Sequence, residues 1–334
     1  LFLLYLMSTL ASPAMSLTKM KPHGFNGLVN LGVMGVEYES NFTANIDVLN
    51  IDLSSERIDD FGSPDAEGFV SAMGNFDIGL TFSNNKTRIS IGNDFTDILE
   101  FDRNTRVSLR HDFDTLGQFR LDGLTNTQFV TQVYRDPYLV GENRPDTDID
   151  STGARLVWHD IFTSKFGVEF LVKEREIDDE DSGDSIASLT PEERGLLDRE
   201  GDIMSVRLIY NFRVDDWHSI QPQLQYLNRD LDGDAMAQEG ILLGFQHFYI
   251  GDNIEWATQL NYTYLEAEET NPIFNEDHDA SGFAVSSIVS FPGLIGFLPS
   301  WRPNIQVSYV DLDSDIDFND SRLWSIAAGM AYKF

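Results

Sequence analysis

Cysteine is absent from this chain of 334 residues. Disulfide frameworks and thiolate metal sites are therefore excluded, as suits a long chain that crosses an oxidising compartment. Long hydrophobic runs are missing as well. The apolar start Leu1–Met7 is too short to cross a bilayer as a helix, and no other stretch approaches the ~20 apolar residues such a helix needs. Positive charge is scarce, with 23 Lys and Arg against 55 Asp and Glu. A net charge of −32 repels nucleic acid, and glycine-rich nucleotide motifs are absent too. The six histidines (His23, His111, His159, His218, His247 and His278) form no i,i+4 pair and no metal box.

What is present begins with LFLLYLM followed by STLASPAMS, which reads as a partial secretory signal over 1–14 with a cleavage site at Ser12-Pro13-Ala14. Residues 15–334 then read as one domain, because a period-two alternation runs through them without a linker. Phe76, Ile78, Leu80 and Phe82 alternate with Asp77, Gly79 and Thr81; Ile254, Trp256, Thr258, Leu260, Tyr262 and Tyr264 alternate with Glu255, Ala257, Gln259, Asn261 and Thr263. Fourteen such strands are predicted, at 24–38, 68–82, 86–92, 105–113, 118–130, 152–160, 164–174, 202–213, 219–228, 240–250, 254–265, 280–291, 302–311 and 323–334. Rereading 92–104 or 123–150 changes the count to twelve or sixteen.

The connections alternate in length. Short turns fall at 83–85, 114–117, 161–163, 214–218, 251–253 and 292–301, with long acidic segments between them. Those segments (39–68, 92–104, 135–150, 173–202, 228–239, 265–279 and 311–322) hold 44 of the 55 acidic residues and 10 of the 23 basic ones. The fold this predicts is all-β: a transmembrane antiparallel up-and-down barrel with short periplasmic turns, long outer loops and no plug domain. Trp158, Trp217, Trp256 and Trp301 fall at predicted periplasmic strand ends and Trp324 near an outer end, as in an interfacial aromatic girdle. The last strand closes on Gly329, Tyr332 and Phe334, the pattern of a barrel-insertion signal addressed to an assembly machinery. Thr190, Pro191 and Glu193 predict a short helix over about 191–198 in one outer loop.

Parity places Arg88, Arg106, Arg110, Arg120, Arg155 and Arg207 on the inward face, together with Asp77, Asp122, Glu169 and Glu255. Two readings stand: a charged constriction that selects solutes, or an ion-pair network filling a narrow lumen. The alternating sets Asp311, Asp313, Asp315 and Asp317, and Asp230, Asp232 and Asp234, each lie on one face of an extended chain, as do Asp146, Asp148 and Asp150. They are either a solvated loop surface or a site for a hard cation such as Ca²⁺, shared with the ion layer of lipopolysaccharide. The second set is not an EF-hand, since Ala235 and Ile241 stand where glycine and a bidentate Glu are needed. His278, between Asp277 and Asp279, is the candidate for a catalytic rim histidine.

The stretches GFNGLVNLGV (24–33), SNF (40–42), SSERIDDFGSP (54–64) and GNFDIGLTFSNNKTRISIGND (74–94) resemble domain-of-unknown-function family 2860. That resemblance implies an outer-membrane location in a Gram-negative bacterium and carries over no activity and no site residues. The expected function is a passive, porin-like channel for small hydrophilic solutes, narrowed by inward-folded acidic loops. The alternatives are a non-conducting barrel that binds divalent cations or a partner through those loops, and an outer-membrane hydrolase at the rim. Expected partners are membrane lipid, lipopolysaccharide, the barrel-assembly machinery and the solutes, and no organic cofactor is expected.

Overall fold

The computed structural model describes residues 20–46, 51–97, 102–126 and 131–334, and the expected signal segment lies outside them. Fourteen long strands follow one another: β1 (Gly24–Glu39), β2 (Ala66–Thr81), β3 (Thr87–Asp97), β4 (Asp102–Asp112), β5 (Gln118–Thr125), β6 (Asp146–His159) and β7 (Phe166–Ile177). The second half comprises β8 (Gly201–Tyr210), β9 (His218–Leu231), β10 (Gln238–Ile250), β11 (Glu255–Ala267), β12 (Ala280–Ser290), β13 (Trp301–Ser314) and β14 (Ser321–Lys333). Each pairs antiparallel with the next, and β14 returns to β1 with Leu28 opposite Lys333 and Glu39 opposite Arg322. The sheet closes into a barrel, with β2 and β3 paired from Asp77 opposite Gly92 to Thr81 opposite Arg88.

The two faces follow the alternation. Leu31 and Val33 on β1, Val107 and Leu109 on β4, Phe170 and Val172 on β7, and Ile241 and Leu243 on β10 all point outward and are exposed. Their neighbours Asn30, Ser108, Glu169 and Gln246 point inward and are buried. An apolar belt around an entire sheet, over a polar interior, fits hydrocarbon as its outer layer and makes this a membrane barrel. An aromatic girdle rings the end with the short turns. Phe119 stacks on Trp158 at 4.9 Å, Phe166 meets Tyr210 at 4.8 Å, His247 meets Trp256 at 5.5 Å, and Trp301 meets Tyr332 at 4.9 Å.

All fourteen expected strands are present, with longer outer ends than the alternation marked. β3 runs on to Asp97 and β6 begins at Asp146, inside segments read as loops. Beyond the lipid belt the outer face turns polar, so hydrophobic contrast vanishes while the backbone ladder continues. The expected single strand 118–130 leaves the ladder after Thr125; residues 127–130 lie outside the described set. The chain rejoins at Thr131–Tyr134, which pairs with the start of β6. The predicted helix is α1 (Pro191–Gly195), with the expected capping box between Thr190 and Glu193 and an earlier end.

Candidate functional site: the lumen and its cap

The lumen has two unlike walls. On β2 to β8 it is charged. Asp77 accepts from Arg88 at 2.5 Å and Arg106 at 2.6 Å, and Lys21 lies 3.5 Å away. Asp122, fully buried, accepts from Arg155 at 2.8 Å, Arg120 at 3.1 Å and Ser108 at 2.6 Å. Arg110 donates to Gln118 at 3.1 Å, and Arg207 pairs with Glu169 at 2.8 Å. Every expected inward arginine thus faces the lumen with a hydrogen-bonding partner. Glu255 pairs with Arg302 near the end with the short turns.

The opposite wall, from β9 round to β1, is a ladder of amides. Gln246 donates to Gln259, which donates to Asn261, each at 3.0 Å. Gln306 donates to Asn304 at 3.2 Å, and Asn304 to Asn30 at 2.9 Å. Gly329 sits in this ladder because an added Cβ would come within 2.9 Å of Asn30 Oδ1. Tyr332 and Phe334, the other members of the expected insertion signal, stack at 5.7 Å in the girdle.

Above the lumen the loops converge. Leu197, Leu231, Met236, Tyr138, Ile316 and Phe318 form one buried hydrophobic core, with Phe42, Phe61, Ile186 and Phe274 packed on it. These side chains come from six connections distributed around the whole rim, so they meet only by crossing the mouth. Fully buried Phe318 is the hub, 5.2 Å from Tyr138 and 5.7 Å from both Phe42 and Phe274. After β1 the chain crosses toward β6, and Thr43–Ile46 pairs with Thr131–Tyr134 beside the start of that strand. Buried polar groups join the loops further. Arg144 Nη1 donates to the Asn41 carbonyl at 2.7 Å and Nη2 to the Ser55 carbonyl at 2.5 Å. Asp136 accepts from the Gly183 and Ser185 amides, and Asn41 donates to the Phe318 carbonyl at 3.0 Å.

The alternating aspartates form the outside of this cap. Asp313, Asp315 and Asp317 are exposed while Ile316 and Phe318 between and beside them are buried. Asp230, Asp232 and Asp234 are likewise exposed, with Leu231 buried. Asp311 instead accepts from Arg322 at 3.0 Å and Tyr309 at 2.9 Å. Among the described residues, no three His, Asp or Glu side chains converge as metal ligands. The cap core was missed from sequence, yet its signal lay in the complementary positions of the acidic runs.

A cavity of about 100 Å³ lies between cap and lumen. Its walls include Arg175, Arg199, Arg229, Gln238, His278 and Asn319. The carbonyl of His278 accepts from Gln238 at 2.7 Å, and its Nδ1 has no partner. Burial, aided by the Arg229 charge, lowers the His278 imidazole to about 4. The flanking Asp277 and Asp279 are engaged by Thr270 Oγ1 and the Ala267 amide.

The chain is similar to several solved barrels. The chain is 11% identical to a Pseudomonas aeruginosa FadL homologue (93% of this chain, 89% of that one, TM-score 0.43). It is 11% identical to the outer membrane channel DcaP of Acinetobacter baumannii (95% and 100%, TM-score 0.42). It is 9% identical to the CymD monoaromatic hydrocarbon channel (94% and 88%, TM-score 0.46). The likeness is one of barrel form alone. No curated protein matches the chain. With residues 24–333 matched by its model, a closed lipid-belted barrel and the motifs of the first two strands in place, the chain belongs to the family described as Protein of unknown function (DUF2860).

Proposed function

We propose that this barrel is a channel of the Gram-negative outer membrane for small hydrophilic solutes, held shut at its outer mouth by the loop cap. One observation carries the reading. Asn30 Nδ2, Asn75 Nδ2, Gln223 Oε1, Gln225 Nε2, Asn261 Nδ2 and Gln306 Oε1 are buried, face the lumen and have no protein partner. Orphaned amides in a dry core each cost on the order of 1–3 kcal/mol, so six around the lumen, five on the amide wall and Asn75 on β2, favour an interior that water enters. A barrel of fourteen strands leaves room for it. Solutes then pass the doubled arginines of Asp77 and Asp122, which act as a positive constriction below an acidic mouth. Lipopolysaccharide around the belt and the assembly machinery at Tyr332 and Phe334 complete the expected partners.

The test is single-channel recording in a planar bilayer. Wild-type protein should be closed most of the time with brief steps, and Phe318→Ala should lengthen the open state at least tenfold. Silence from both, with folding verified by heat-modifiable gel mobility, sinks the channel. The exposed aspartate face of the cap favours a second reading, a non-conducting barrel that gathers Ca²⁺ on its loops. Calorimetry decides that version: a saturable Ca²⁺ heat lost in Asp313→Asn/Asp315→Asn supports it, and featureless dilution heats remove it.

A further inference from the structure

The connection from β12 to β13 differs from the others at the end with the short turns. It lies between Ser290 and Trp301 and reads FPGLIGFLPS, with no Asp, Glu, Lys or Arg. The other connections at that end carry charge, at Lys86, Asp114, Asp160, Asp216 and Asp252. Phe297 is 85% exposed and Leu294 67%, and Leu298 is open beside them. Apolar side chains gathered in one exposed patch mark a contact surface.

The surroundings of the turn indicate what covers it. Trp301 follows it directly and meets Tyr332 at 4.9 Å. Tyr332 stacks on Phe334 at 5.7 Å, and Phe334 lies 5.5 Å from Phe25, which is 68% exposed. The patch therefore runs into the girdle and the lipid belt. No charged residue separates Phe297 from Trp301 along the chain, whereas patches that dock proteins carry a polar rim. The backbone fits the same medium. Pro292 and Pro299 bring no N–H, and Pro292 followed by Gly293 at φ 74° is the sequence of a type II turn. The amides of Phe291, Leu294 and Leu298 donate to the carbonyls of Pro303, Phe291 and Ile295 at 2.9, 3.4 and 2.8 Å. Those of Ile295, Gly296 and Phe297 find no acceptor among the described residues. A backbone satisfied in part suits the boundary of head groups and chains, where water still reaches, rather than the dry centre.

We propose that this turn is a membrane wedge. Leu294, Phe297 and Leu298 insert among the phospholipid chains of the leaflet on the short-turn side, at the level of the head-group boundary just beyond the girdle. The partner is lipid, recognised through apolar surface and not through head-group charge, since the turn carries none. The inference goes beyond the channel reading and stands whether or not the barrel conducts.

The absence of cysteine makes a direct test possible, because one introduced thiol takes a nitroxide label at a single site. Leu294→Cys and Phe297→Cys are each labelled in the whole barrel, folded into phosphatidylcholine vesicles at low protein density. Asp252→Cys, on the exposed turn between β10 and β11, is the reference. Collisions of the label with molecular oxygen report lipid, and collisions with a polar nickel chelate report water. The expected ratio of oxygen to nickel collisions is about tenfold higher at Leu294 and Phe297 than at Asp252, because lipid excludes the chelate. Nickel collisions as frequent as at Asp252 overturn the proposal, since the turn then stands in water. Exclusion of both reagents overturns it as well, since protein then covers the turn, whether its own barrel or a second copy. Both positions are exposed, so the labelled barrels should keep the gel mobility of the folded form, and either position alone decides the question if the other misfolds.

Discussion

Two residues show how closely the interior is balanced. Asp122 has no exposed surface and serves two guanidinium groups and a hydroxyl. Asp122→Asn keeps the shape and strands two positive charges, so unfolding in urea, followed by tryptophan fluorescence, should show a loss of about 3 kcal/mol. Replacing Arg155 by Met in the same chain should recover part of it. His278 tests the cap instead. Its folded value, about 4, lies below the ordinary 6.5, so between those values the unfolded segment takes up a proton that the folded one refuses. The stabilisation is whole above pH 6.5 and drains away as pH falls toward 4. By pH 5.5 the loss is about 1 kcal/mol, before most carboxylates titrate. Protection factors over 268–279, which take out the slowing of intrinsic exchange in acid, should therefore fall severalfold between pH 7 and 5.5, and His278→Gln should abolish that fall.

At the scale of elements, strands and loops were unequally legible. Lipid outside and polar groups inside impose period two, so stretches such as 86–92 and 302–311 revealed their faces in sequence, while 92–104 and 123–150, the two left open, are where strand ends moved. The lumen arginines followed from the same parity. The cap did not, because its core is assembled from segments far apart in the chain, each contributing one or two apolar side chains amid acid. Ile316 and Phe318 were visible only as the gaps between aspartates, and nothing local announces that they meet Tyr138. The cavity was illegible for the same reason, its arginines coming from three separate elements. Close approach between loops offers a direct check. A Cβ on Gly233 would come within 2.4 Å of the Asp198 amide and 2.7 Å of the Leu196 carbonyl. Gly233→Ala should pry the β9–β10 connection from the segment after α1, quickening limited proteolysis in both while the barrel core resists.

At the scale of the whole molecule, rim and bore have different jobs. The belt and girdle fix the barrel in a bilayer, and β14 closes the sheet on β1. The cap, held by its own core and buried ion pairs, is a separately stabilised layer. Opening it means unpacking Phe318 rather than moving the wall, which is why the conductance test targets that residue.

The unlike walls of the lumen carry one more consequence. On one side each of Asp77 and Asp122 faces two guanidinium groups, leaving surplus positive charge. Facing it stands a neutral bank of amides. The electric field therefore runs sideways across the passage as well as along it. If the barrel conducts as proposed, a dipolar molecule descending between these banks would turn its negative end to the arginines and slide with its flank on the amides, leaving the bore in a chosen orientation.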